Sequence, residues 1–246
     1  MVDEIQFRFS IQGLPSGEAL TGSEIEQKLL EALDEKEGNC PDMLWNLAVL
    51  YQQTGHFDQA SGCIERVIEL SDDPEKIGSG FLALGQLEEA RGDYAAAGKR
   101  YGDALALEPC SSQTWYFIHN NLGYSLNQLG KHSSAVPYLE RALEIDPARP
   151  NAFKNLGLAH EALGEPVKAA ELFIAATQVD AADSRSLDHL LAVMEANPVL
   201  EVDMPDLRER VEACQKAVET ARVQKPDFDA HWARLRKEQR PKWWQF

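Results

Sequence analysis

Asn121-Leu122-Gly123 and Leu129-Gly130 are answered 34 residues later by Asn155-Leu156-Gly157 and Leu163-Gly164. A fixed offset of this length between several landmarks marks stacked supersecondary units, each too small to bury its own apolar face. The pattern extends when the chain is aligned on four turn glycines, Gly55, Gly92, Gly130 and Gly164, which are spaced 37, 38 and 34 residues apart. Eight residues before each glycine stands Leu47, Leu84, Leu122 or Leu156, and seven before stands Ala48, Gly85, Gly123 or Gly157. Five after stands Ala60, Ala97, Ala135 or Ala169, and twelve after stands Val67, Ala104, Ala142 or Ala176. Small residues at fixed places on two successive helices let those helices approach closely, while the larger residues fill what remains.

These recurring positions, over about residues 41–183, resemble the tetratricopeptide repeat family, whose period is 34 residues. The resemblance implies an all-α fold, a right-handed superhelical solenoid of antiparallel helix pairs. Each repeat would hold a helix A, a tight turn and a helix B. On this reading residues 1–22 form an extended segment and 23–40 a capping helix. Four repeats follow at 41–74, 78–111, 116–149 and 150–183, then a degenerate fifth at 184–225 and a capping helix with an aromatic tail at 226–246.

Several local features refine that outline. The three or four extra residues after the first two repeats amount to about one helical turn, which predicts longer A helices starting near Pro74 and Ser112. Pro137 falls inside a B helix and predicts a kink there unless capping begins as late as Ser134, while Pro226 predicts a break. Gly62, Gly98 and Gly102 sit in B helices and are read as compromises on an outer face. Ser23 and Glu26 have capping-box spacing at the start of the first helix. Ile5, Phe7, Phe9 and Ile11 alternate with polar residues, the period of a half-buried strand. That segment is expected to press on the helical surface or to pair with a partner or a second copy. Trp243, Trp244 and Phe246 in the tail are expected to fold back or to mediate self-association, so residues 5–11 and 241–246 are the two candidate routes to a homo-oligomer.

Composition narrows the function. The net charge of −16 disfavours nucleic acid and anionic membrane, both of which need clustered cations. Charge is uneven: residues 1–40 hold nine acids against Arg8, Lys28 and Lys36, whereas from Arg234 onward five basic residues face Glu238 alone. Cys40, Cys63, Cys110 and Cys214 are far apart, as expected of free thiols in a reducing compartment. No signal-peptide pattern and no apolar run of membrane-spanning length are seen, so a cytoplasmic location is expected. His160-Glu161 begins like a zinc-protease helix, but Gly164 stands where the second histidine should be. No nucleophile elbow, phosphate-cradling loop, metal cluster or cofactor motif emerges, so the chain is read as a non-enzyme without a cofactor.

What remains is a binding surface. The resemblance implies a concave groove lined by A-helix positions, and it places there Trp45 and Asn46, then Gln86, then Phe117, Asn120, Asn121, Tyr124, Asn127 and Gln128, and finally Asn151, Lys154 and Asn155. The column Asn46, Ala83, Asn121, Asn155 is similar to the asparagine ladder in the repeats of O-linked N-acetylglucosamine transferases. There the amides grip the backbone of an extended peptide. An amide can pair with both N–H and C=O of a passing chain, so it holds without demanding a side chain. The same asparagines could instead tie adjacent A helices together. Clamping of a terminal carboxylate is disfavoured, because Lys154 is the only suitable cation. The expectation is a scaffold or adaptor binding an extended segment of another protein. A self-assembling structural protein, or a regulatory subunit of a separate enzyme, is the alternative.

Overall fold

The computed structural model describes residues 22–36, 38–107 and 111–238, with the side chains of 225–238 excepted. The 5–11 strand, Pro109, Cys110 and the 241–246 tail lie outside the described residues. Those described form twelve helices and no strand: α1 (Gly22–Asp34), α2 (Pro41–Gln53), α3 (Phe57–Leu70), α4 (Pro74–Ala90), α5 (Tyr94–Leu105), α6 (Ser112–Gln128), α7 (His132–Ile145), α8 (Pro150–Ala162), α9 (Pro166–Val179), α10 (Arg185–Ala196), α11 (Leu200–Asp203) and α12 (Leu207–Glu238). The all-α repeat architecture expected from the period is present.

Local chemistry explains where these helices begin and end. Pro41, Pro74, Pro150 and Pro166 open their helices at the first turn, where a missing N–H costs nothing and φ is already helical. Asp73 and Asp93 cap α4 and α5 by accepting from the N–H of Glu75 and Ala96. Each A helix closes on a glycine at positive φ: Gly55 at 78°, Gly92 at 80°, Gly130 at 70° and Gly164 at 74°. The residue after each glycine donates back to the fifth residue before it, as His56 does to Tyr51, Asp93 to Glu88, Lys131 to Leu126 and Glu165 to His160. That repeated closure is the Schellman geometry, and only glycine adopts its backbone without strain. The two A helices with extra sequence, α4 and α6, have 17 residues against 13 for α2 and α8.

The chain divides into two compact units, residues 1–121 and 122–246, the division falling within α6. In the first unit, α1 covers α2 through Ile25 and Leu29, and the pairs α2–α3 and α4–α5 pack in sequence through Leu47, Leu50, Ile64, Leu84 and Leu87. In the second, α7 packs on the pair α8–α9 through Leu139 and Leu156, and α9 then carries α10, α11 and the start of α12 around Phe173, Leu190, Leu200 and Leu207. The repeated alanines of the B helices, Ala60, Ala97, Ala135 and Ala169, are fully buried. Opposite them the repeated small A-helix residue meets a large one sixteen positions later. Ala48 shares a core cluster with Ile64. A Cβ added to Gly85 would strike the Tyr101 ring, and one added to Gly123 or Gly157 would strike Leu139 or Phe173.

Two local expectations are corrected. Helix α1 starts at Gly22, so Ser23 lies inside it. Glu26 does not reach back to a cap; its carboxylate accepts from the Tyr51 hydroxyl at 2.8 Å, tying α1 to α2. Burial first, and the Glu26 carboxylate second, push that hydroxyl up to about 12. Pro226 does not break the chain, because α12 runs unbroken from Leu207 to Glu238. A proline removes one hydrogen bond, a local cost that a long helix of good formers can absorb. Pro137 lies inside α7, which begins at His132 and not as late as Ser134, and is exposed to water.

Candidate functional site

In the first unit, α2 buries Leu44, Leu47, Ala48, Leu50 and Tyr51 and leaves Trp45, Asn46 and Val49 half-buried. Gln86 on α4 and Phe117 and Asn121 on α6 are half-buried as well, whereas Asn120 is buried. Asn120 donates its amide to the Asn121 side chain at 3.0 Å. The Asn121 amide and the Glu89 carboxylate both face the hydroxyl of Tyr101. Burial, reinforced by Glu89, drives that hydroxyl far above its usual range. Two of the expected groove amides are therefore bonded to each other within α6. Phe117 meets Tyr116 edge to face with ring centres 5.4 Å apart.

The second unit holds the remaining positions. Gln128 and Asn151 are exposed, Tyr124, Asn127 and Lys154 are half-buried, and Asn155 is 6% exposed. Asn127 donates to the backbone carbonyl of Asn155 at 2.8 Å and contacts His132 Nδ1 at 3.2 Å, so its amide bridges α6, α7 and α8. Lys154 is not an open cation. Its ammonium lies 3.7 Å from Asp183, which also takes a closer pair of bonds from Arg185. Burial and the neighbouring Arg185 lower the Lys154 ammonium against the opposing pull of Asp183. Asp183 itself is pulled to about 2, chiefly by the Arg185 guanidinium.

Adjacent repeats are also joined by contacts that no local pattern announces. Glu75, in the first turn of α4, accepts from the backbone and hydroxyl of Ser111 at 2.5 and 3.0 Å and from the Thr114 hydroxyl at 2.7 Å. It thereby anchors the start of α6. Arg91 with Asp58, Arg100 with Glu65, and Arg210 with Glu171 pair across elements at separations of 33, 35 and 39 residues. Sequence reasoning missed these partners because a pairing a full repeat away has no signature within a helical window.

Among the described residues no three His, Cys, Asp or Glu side chains converge as a metal site. His160 contacts Glu165 at 2.6 Å, and Glu165 also takes Lys168 at 2.9 Å. Cys40, Cys63 and Cys214 are free thiols, and burial pushes Cys63 and Cys214 up, away from the reactive thiolate. No helix of the described residues is long and apolar enough to cross a membrane. Among the described residues the arrangement offers hydrogen bonds and aromatic surface.

Residues 44–77 and 116–148 each match the tetratricopeptide repeat family. Tetratricopeptide repeat protein 7B of Homo sapiens is 24% identical over 175 residues, which is 66% of this chain and 20% of that protein. This chain thus spans about a fifth of that relative's length. Photosystem I assembly protein Ycf3 of Cuscuta gronovii is 32% identical over 91 residues, 37% of this chain and 54% of that protein. Among solved structures YrrB, described as a tetratricopeptide repeat protein with an unusual peptide-binding site, superposes with a TM-score of 0.58 at 19% identity, covering 82% of this chain and 99% of YrrB. The period, the glycine-closed hairpins and these likenesses agree, and the chain belongs to the tetratricopeptide repeat proteins.

Proposed function

We propose that this protein is a non-enzymatic protein–protein interaction scaffold whose A helices hold an extended segment of a partner. One observation carries the reading. The A helices turn one row of apolar residues inward, Leu47, Leu84, Leu122 and Leu156, and leave Trp45, Asn46, Gln86, Tyr124, Gln128 and Asn151 half-buried or exposed. Aromatic faces and primary amides suit an extended chain, since amides pair with its backbone and aromatic rings bury its side chains at little entropic cost. The peptide-binding site for which YrrB is described and the assembly role in the name of Ycf3 suit a holding function. Asn121, which accepts from the Asn120 amide, and Asn155, which is buried, contribute from behind that surface.

The test begins by retrieving a partner on immobilised full-length protein and mapping the bound segment to a synthetic peptide. Trp45→Ala combined with Gln86→Ala should weaken binding of that peptide by about tenfold or more, since buried aromatic contacts carry most of such binding energy. Helicity and melting temperature should stay within error of the parent. Undiminished binding by the double variant removes the A-helix surface from consideration.

A further inference from the structure

Tyr101 carries a hydroxyl that its packing does not need. The ring, on α5, is fully buried against Gly85 of α4, where an added Cβ would strike its Cε1, Cζ and Cδ1. The other hairpins fill the same seam with Ile64, Leu139 and Phe173, so an alkyl chain or a bare ring suffices there. The extra oxygen is buried without a hydrogen bond, a cost that phenylalanine would avoid. Two side chains stand over it. Glu89, one turn beyond Gly85 on α4, and Asn121 on α6 both face the hydroxyl. Both are half-buried, so they reach from the hydroxyl towards solvent.

Charge around this point is one-sided. Helices α2 and α6 contain no lysine or arginine, and Lys76, the one on α4, is paired with Asp42 at 3.4 Å. Arg91, just past the end of α4, is held by Asp58 and Glu88. These A helices therefore set no like charge against an incoming cation. A carboxylate offers about four acceptor sites and an amide oxygen about two, so Glu89 and Asn121 can each take a further donor. The Asn121 oxygen already accepts from the Asn120 amide at 3.0 Å, which fixes its orientation. Phe117 lies one turn before Asn121 on α6, half-buried, and adds an aromatic face that favours a nearby cation. Lysine and arginine carry their charge at the end of a long alkyl stem, long enough to reach Asn121 behind the surface.

We propose that Glu89 and Asn121 form a subsite for a lysine or arginine side chain of the bound segment, with Tyr101 positioning Glu89 from beneath. The N–H groups of the cation donate to the outward oxygen of Glu89 and to the Asn121 amide oxygen. The Tyr101 O–H donates to the inward oxygen of the same carboxylate. A cation drawn to Glu89 thus holds a fixed acceptor over the hydroxyl, and the buried oxygen gains the partner that packing does not give it. The inference rests on the A-helix surface as the binding face. To that reading it adds the chemistry of one position, a positive charge where the segment passes between α4 and α6.

Nuclear magnetic resonance titration of the isotope-labelled full chain tests this with blocked pentapeptides, each a central residue flanked by alanines. The central residue is lysine, arginine or norleucine, the last keeping the alkyl chain of lysine without its charge. The parent should bind the two charged peptides at least about tenfold more tightly than the norleucine peptide. Glu89→Gln keeps the shape and removes the charge, and should bring all three within about twofold. Tyr101→Phe should leave norleucine binding unchanged and lower the preference for charge by about threefold. A merely structural role for the hydroxyl would shift all three peptides alike. Circular dichroism checks that both variants keep parental helicity. A parent without preference for charge, or a preference that survives Glu89→Gln, overturns the subsite and leaves the A-helix surface standing. Resonances that move with no peptide at about 10 mM overturn the subsite too, and the wider reading is then decided by Trp45→Ala with Gln86→Ala against the captured segment. A preference unchanged in Tyr101→Phe overturns the positioning role.

Discussion

In three successive repeats Gly85, Gly123 and Gly157 lie where an added Cβ would strike Tyr101, Leu139 and Phe173, whereas Gly62 and Gly102 have nothing within 4 Å of the same point. The first group sits on the seam between helices A and B of one hairpin, and the second on the outer side of B helices. On the seam the absence of a side chain sets the distance between two helices, because a fully buried ring or leucine occupies the space. On the outer side it sets nothing and costs helix stability, roughly 1 kcal/mol against alanine. The first repeat solves the seam differently, with Ala48 and Ile64 in one core cluster. A seam position and its partner are thus a matched pair, and an outer glycine is matched to nothing.

Substitutions can break or sharpen that contrast. The largest effect is expected beside the seam glycine, where Leu84→Ala opens a cavity at a site 1% exposed and should cost about 2–5 kcal/mol in chemical denaturation. Gly85→Ala should come next, destabilising by about 1–3 kcal/mol through overpacking against Tyr101. Adding Tyr101→Ile to it recreates the alanine–isoleucine pair of the first repeat. If the double variant is no more stable than Gly85→Ala, the matched-pair account is wrong. On the outer side the sign reverses, and Gly62→Ala and Gly102→Ala should each raise stability by about 1 kcal/mol, adding because they lie on different helices. Smallest of all, Arg100→Ala should cost about 0.2–1 kcal/mol by breaking the exposed pair with Glu65, and less at high salt.

The same contrast between local and distant partners separates what could be read from the chain and what could not. The turn glycines, the prolines that open helices and the extra turn in α4 and α6 were legible because each acts on its own backbone. The division of A-helix residues into buried and exposed was legible in outline, since Leu47, Leu84, Leu122 and Leu156 mark the buried side. The fate of the amides was not. Asn127 reaches the carbonyl of Asn155, Asn120 is buried and bonded to Asn121, and Asn155 is buried, so positions inferred for one groove divide between surface and interior. Lys154 looked like an available cation until Asp183 was placed beside it.

Sequence alone therefore determined the repeat, its hairpins and the small residues that set helix spacing, because periodic burial and positive-φ closure are properties of a few neighbouring residues. Tertiary structure alone decided which polar groups are used up. Glu26 leaves its expected cap for Tyr51, Glu75 anchors the start of α6, and α12 continues through Pro226. For Glu26 a hydrogen bond to the next helix outweighs a capping preference of about 1 kcal/mol, and Glu75 is taken up by a segment a full repeat away, whereas α12 passes Pro226 by propagation along its own length.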